Sequence, residues 1–376
     1  MMLATVVSVR MCRMYIPYGL LASGIIYLLS AFYTIDSSTF STMFARRPFR
    51  SQHGVSGNLT GTTCLGTTNS TQNQTTCFPS CEHGYFALPG MSACRPWLDC
   101  DEISQIRITG YLKKGGMKHV LMGRWENQTI AYLRFQTTFK NHFSKYLANY
   151  LLFQPNPLFA RVVGYCEQKC LIVMEYYPLK NSWMLEEALW ESNLVHSNSA
   201  TALRLQLCVD YAQIVAFMHG EGRIMCDTNN LSKLSSQYLL TDDFRLVAAD
   251  VDHLQEASSP CPVWFAKDWR FVSPETKKMS RKKCTHVVGL QQRACADELK
   301  QLQFKADVWK MPDVCLLYLS RNPETNEIMD ARSERVAGYL DTLHGRCKLR
   351  DPRKRPDAVE VLSTYLRAQK ELFAPE

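Results

Sequence analysis

The chain has 376 residues, 46% hydrophobic and 21% charged, with a formal charge of +8. This balance excludes a disordered or collagen-like polymer. So small an excess of positive charge, without basic runs interleaved with aromatics, argues against nucleic acid as a partner. Fifteen cysteines are many for a reducing compartment and point to disulfides.

The first feature in chain order is residues 14–35, which carry no charge and are bounded by Arg13 and Asp36. A membrane helix needs roughly 20 mostly apolar residues, so this run predicts a transmembrane signal anchor. Arg10 and Arg13 precede it and the next basic residue is Arg46, which predicts a cytosolic tail at residues 1–13 and a type II orientation. A cleaved signal peptide is the alternative, but its apolar core is usually about 7–15 residues and Ser30-Ala31 is a poor cleavage site. Residues 36–76 are rich in Ser, Thr, Asn and Gly. Such a segment buries too little apolar surface to offset its ordering entropy, so it reads as a flexible stem. It holds glycosylation sequons at Asn58, Asn69 and Asn73, and Asn127 follows in the next segment. Together these predict a glycosylated domain beyond the membrane.

Only Cys12 precedes the apolar run. Cys77, Cys81, Cys94 and Cys100 cluster just after the stem without a C-x2-C pair or a His pair at a ligand interval, which favours disulfides over zinc. Cys166 and Cys170 are free to pair with each other or with distant partners. Next, Lys113-Lys114-Gly115-Gly116-Met117-Lys118 lies between two apolar segments. Glycines there free the backbone N–H groups to approach phosphates. Residues 137–151 read as a helix, and no Asp or Glu occurs between Glu126 and Glu167. Another apolar strand ends at Glu175-Tyr176-Tyr177-Pro178.

Beyond it, Leu203, Leu207, Tyr211, Ile214, Val215 and Met218 recur at helical spacing. The helix they predict leads into Arg223-Ile-Met-Cys-Asp227-Thr-Asn-Asn, then Gln237-Tyr-Leu-Leu, then Leu-Val-Ala-Ala-Asp250-Val-Asp. Two carboxylates set at the ends of short strands in this order match the catalytic loop and metal-binding loop of a protein kinase. Val272-Ser-Pro-Glu275, Asp307-Val-Trp309 and Arg355-Pro356 follow in kinase order. On that reading Asp227 accepts the substrate hydroxyl's proton, Asp250 and Gln237 hold Mg²⁺ or Mn²⁺, and ATP is the phosphate donor. Gly115 and Gly116 then cover the phosphates, and Glu175 and Tyr177 belong to the hinge against adenine. The third-strand lysine is absent, since Ile130-Ala131-Tyr132 is followed by Leu133. Lys118 is its substitute, aimed at the phosphates from the loop side. Asn230-Leu-Ser is also a sequon but falls in this loop, and it is expected to be unmodified. The basic run Lys277, Lys278, Arg281, Lys282 and Lys283 reads as a solvated loop, or as a patch that draws an acidic partner.

More specific blocks surround these motifs: Cys81-Glu-His-Gly-Tyr-Phe, Met91-Ser-Ala-Cys-Arg-Pro-Trp-Leu-Asp-Cys-Asp-Glu, Gly164-Tyr-Cys-Glu, Met225-Cys-Asp-Thr-Asn-Asn-Leu and Asp307-Val-Trp-Lys-Met-Pro-Asp. With them the chain resembles the protein O-mannose kinase family over about residues 77–372. The resemblance implies an α+β, bilobal kinase-like fold over residues 77–376, its lobes meeting near residues 177–178, preceded by the transmembrane helix and the stem. It implies a single-pass endoplasmic-reticulum membrane enzyme that phosphorylates the 6-hydroxyl of mannose in an O-linked glycan on a glycoprotein such as dystroglycan. It carries Asp227, Asp250, Gln237 in place of Asn, and the displaced Lys118 onto the family's catalytic, metal and lysine positions. Lys113 departs from the pattern, standing where the first loop glycine would be, and the helix carboxylate is missing. The competing expectation is a pseudokinase that uses the same fold to bind glycan or scaffold partners without phosphoryl transfer.

Overall fold

The structure, a computed structural model, describes residues 62–66, 75–194, 198–261, 271–276, 289–319 and 331–373. Strands β1 (Thr62–Gly66) and β2 (Thr75–Pro79) pair antiparallel with Cys64 opposite Cys77. β1 falls in the segment expected to be a flexible stem, and β2 begins at its end. Threonine is β-branched and favours an extended, ladder-forming backbone, and each strand carries two. A second hairpin, β3 (Tyr85–Phe86) with β4 (Arg95–Pro96), is closed by the Cys81–Cys94 disulfide. Helix α1 (Cys100–Ser104) begins at a capping box, Asp99 accepting from backbone N–H groups while Glu102 reaches back. The Cys100–Cys166 bond ties α1 to the main sheet. Cys166 therefore does not pair with Cys170, which is a buried thiol.

The main sheet is antiparallel in the order β5-β6-β7-β9-β8, with β5 Arg107–Lys114, β6 Lys118–Trp125, β7 Gln128–Phe135, β8 Val162–Cys166 and β9 Leu171–Glu175. The inner strand β9, Leu-Ile-Val-Met-Glu, is buried at its first four positions, as a strand covered on both faces must be. Gly164 is required where β8 passes Leu98. A Cβ there would lie 2.5 Å from the Leu98 carbonyl oxygen, and the two residues form a parallel bridge. Between β7 and β8 runs α2 (Lys140–Leu151), which buries Phe143, Tyr146, Leu147 and Tyr150 at helical spacing against the sheet.

The remaining described residues are mainly helical: α3 (Leu185–Glu191), α4 (Asn198–Gly220), α5 (Leu231–Ser235), α6 (Gly289–Leu319), α7 (Ala331–Cys347) and α8 (Ala358–Phe373). The predicted stripe of α4 is buried at Leu207, Tyr211, Ile214, Val215 and Met218. It packs on α6 and α8, and a Cys208–Cys315 bond crosses from α4 to α6. Two small strand pairs sit above α4. They are β10 (Arg223–Met225) with β13 (Leu254–Glu256), and β11 (Tyr238–Leu240) with β12 (Leu246–Ala248). Buried Asp210 of α4 accepts two bonds from the Arg245 guanidinium, 2.8 and 2.6 Å, and one from the Leu246 N–H, fixing β12 to the helix. Arg355 makes a two-pronged pair with Glu275 at 2.5 and 3.0 Å and lies on the Trp309 ring, which Lys348 also contacts.

One part of the expected fold class does not stand. Among the described residues no helix is long and apolar enough to cross a membrane. The longest, α4 and α6, carry charges such as Arg204, Asp210, Asp307 and Lys310 that are buried within the protein. Among the described residues the structure carries a mixed α/β fold in which no helix can cross a membrane, and the single-pass endoplasmic-reticulum location that rested on such a helix is corrected with it. Residues 14–35, the sequons Asn58, Asn69 and Asn73, and the basic run at 277–283 lie outside the described residues.

Candidate active site

The pairing of β10 with β13 sets Met225 opposite Leu254 and brings the ends of two loops together, with the Cys226 N–H donating to the His253 carbonyl. The loop ends lie at the base of a cavity of about 540 Å³. Its walls are the 113–117 turn and α2, and Asp227, Lys233, Asp250 and Asp252 line its floor. The turn is held by the Gly115 N–H donating to the Lys118 carbonyl and the Gln136 N–H to that of Met117.

Lys118 opens β6 and reaches the floor. Its Nζ donates to Asp250 Oδ1, to Asp252 Oδ2 at 2.7 Å and to the Tyr150 hydroxyl at 2.9 Å. Burial alone would lower its pKa. Asp250, Tyr150 and Asp252 outweigh that and raise it well above the usual lysine value. Burial also opposes ionisation of Asp250, but Lys118, a hydrogen bond with Asp252 and then Lys233 hold it below the ordinary carboxylate range. Asp252 goes the other way: burial and the neighbouring Asp250 charge push it up to about 7. One ammonium thus holds one carboxylate ionised and shares the second.

Asp227, half-buried, accepts from Lys233 at 2.8 Å, and Lys233 also lies 3.6 Å from Asp250 Oδ2. Lys233 is placed by the short helix α5, whose N-cap Asn230 accepts from the Lys233 N–H. The Asp227 carbonyl accepts from Gln237 Nε2 at 2.8 Å. Behind the loop, Lys310 of α6 donates to Thr228 and to Asp307, each at 2.9 Å, and His219 meets Asp307 at 3.3 Å. This buried network holds residue 228, next to Asp227, against α6.

Gln237 is buried, and its backbone carbonyl accepts from the N–H groups of Ala249 and Asp250. Its Oε1 has no hydrogen-bond partner among the described residues. A buried amide oxygen without a donor, adjoining an ionised carboxylate, is a donor set that a hard divalent cation takes. The residues present therefore fit such an ion, which Asp250 and Gln237 would hold.

The structure brings Lys118, Gly115, Gly116, Asp227 and Asp250 to one cavity, with Gln237 directly behind. It does not bring the side chains of Glu175 and Tyr177 there. The Tyr177 hydroxyl donates to Glu175 at 3.1 Å and Arg161 lies 3.5 Å from the same carboxylate, all turned into the protein. Burial raises the pKa of Glu175 and that of Tyr177 well above its usual value. Asn127 is exposed at the β6–β7 turn. Sequence reasoning missed Asp252, Lys233 and Tyr150. The only signal for Asp252 was its place in Asp250-Val-Asp. The other two had none, because their roles depend on which helix face meets the cavity.

No family model matches the chain. It is 31% identical over 312 residues to protein O-mannose kinase of Gallus gallus, covering 80% of this chain and 83% of that relative. To the protein of the same name in Homo sapiens it is 30% identical over 295 residues, covering 76% and 79%. To that of Xenopus laevis it is 27% identical over 294 residues, covering 76% and 79%.

Proposed function

The chain belongs to the protein O-mannose kinase family, and from that premise we propose that it transfers the γ-phosphate of ATP to the 6-hydroxyl of an O-linked mannose on a glycoprotein such as dystroglycan. It is a phosphotransferase; the acceptor position and carrier protein are the finer part of the proposal. The observation that carries the assignment to this site is the convergence of Asp227, Asp250 and Lys118 on one cavity beneath a glycine turn.

In this reading Asp227 orients the acceptor hydroxyl and takes its proton, and the nearby Lys233 steadies the Asp227 carboxylate. Asp250 and Gln237 would hold a divalent cation, which supplies charge neutralisation of the phosphates when bound. Lys118 does the work of the missing third-strand lysine. The carboxylate that positions it comes from Asp252 of the metal loop at 2.7 Å, since α2 has none to offer. Little covalent chemistry falls to the protein in phosphoryl transfer, so positioning and charge stabilisation account for the rate. Glu175 and Tyr177 would serve the hinge through their backbone, their side chains being engaged with each other. Asn58, Asn69, Asn73 and Asn127 are the proposed glycan carriers.

The test is incubation of the full chain with ATP, Mg²⁺ and an O-mannosyl trisaccharide, followed by NMR of the product. A phosphorus coupling at C6 of mannose is the expected result. Phosphate on another hydroxyl would overturn the acceptor position, and glycan that binds but gains no phosphate would overturn the reaction in favour of a recognition module.

A further inference from the structure

Helix α2, Lys-Asn-His-Phe-Ser-Lys-Tyr-Leu-Ala-Asn-Tyr-Leu, contains no acidic residue. His142, Lys145 and Asn149 stand three and four residues apart, which puts them on one face. The Asn149 end of that face is pinned to the metal loop, its Nδ2 donating to the carbonyls of Asp252 and Leu254, both at 3.0 Å. Lys145 and His142 follow about one and two turns away, roughly 6 and 10 Å along the axis. Both are exposed, and both line the cavity opposite Lys113 and Gly116.

The other cavity lysines already have anionic partners. Lys118 is engaged by Asp250 and Asp252, and Lys233 by Asp227 and Asp250. Among the described residues Lys145 and Lys113 have no ion-pair partner. A polyphosphate keeps net negative charge even with a divalent cation and draws on cations that are not yet neutralised. The wall that would carry a carboxylate in a kinase with the usual lysine–glutamate pair carries a lysine and a histidine here.

We infer that α2 binds the nucleotide's phosphates through its side chains, with Lys145 as the principal contact and His142 beside it. The inference rests on the kinase reading, and its test separates the two. Titration calorimetry with ADP and with adenosine is made on the full-length wild type, Lys145→Met, Lys145→Arg and His142→Gln. Lys145 is exposed, and a thermal melt checks that each variant is folded. The expected result is ADP binding about tenfold weaker in Lys145→Met, restored in Lys145→Arg, weakened to a smaller degree in His142→Gln, and adenosine binding unchanged throughout. A wild type that binds neither ADP nor adenosine would overturn the kinase reading itself. A wild type that binds ADP no more tightly than Lys145→Met would overturn this inference alone. So would equal loss of adenosine, or a rise in KM for the glycan with ADP affinity intact, since either would place Lys145 away from the phosphates.

Discussion

At Lys118 the preference of an ammonium for water is overridden by three acceptors at once, two of them carboxylates. Lys118→Met would leave Asp250 and Asp252 facing each other, buried, with the cation they share removed. Loss of one partner from a buried pair typically costs about 3–5 kcal/mol. Urea denaturation in chelator should show a loss of that order, and added Mg²⁺ should recover part of it by replacing the missing positive charge. Equal stability of the variant and wild type in chelator would contradict this electrostatic account. At the same scale, Lys233→Met is expected to slow transfer while leaving ADP affinity within about twofold, because Lys233 pairs most closely with Asp227. The legible residues were those whose meaning is carried by neighbours in sequence: Asp227 after a short strand, Asp250 at the end of another, Lys118 beside two glycines. Asp252 was hidden because its partner lies 134 residues away, and only the folded sheet brings the two together.

Among elements, α4 was readable from its apolar stripe, whereas the β1–β2 pair was not, since threonine-rich composition describes a linker as well as a strand. The block Gly164-Tyr-Cys-Glu was noticed without its cause, which is backbone passing at Leu98. Gly164→Ala sets a Cβ within 2.5–2.8 Å of Leu98, and overpacking of this kind costs about 1–3 kcal/mol. A lowered Tm is expected, and an unchanged one would mean that the β8 edge yields freely. The α7–α8 contact gives a pH dependence. His344 is buried against the Tyr365 hydroxyl at 3.0 Å, and burial together with Lys348 holds its pKa down near 4. The unfolded value is about 6.5, so between these values the unfolded chain binds a proton that the folded chain refuses. Stability from this group is fully present above pH 6.5 and is lost as pH falls toward 4, on the order of 3 kcal/mol in all. His344→Gln should flatten that part of the stability–pH curve, as followed by denaturant unfolding from pH 4 to 7.

For the whole molecule, the cysteine count announced an oxidised protein but could not give the pairing, which depends on contacts between distant segments. Cys208–Cys315 closes a loop of 107 residues, and the chain-entropy argument assigns such a bond roughly 4–5 kcal/mol. Cys208→Ala with Cys315→Ala should therefore unfold at markedly lower urea concentration, and an unaltered midpoint would show that α4 and α6 hold together without it. On this reading the cavity between the glycine turn and the two carboxylate loops transfers phosphate to mannose. The measurement that tests it most directly offers full-length protein labelled ATP and Mg²⁺ with an O-mannosyl trisaccharide and a mixed peptide library, beside Asp227→Ala. Label should appear on the mannose alone and fall by about 10²–10⁴-fold in the variant, with ADP affinity retained. Full turnover by Asp227→Ala, or label on the peptides instead of the glycan, would contradict it.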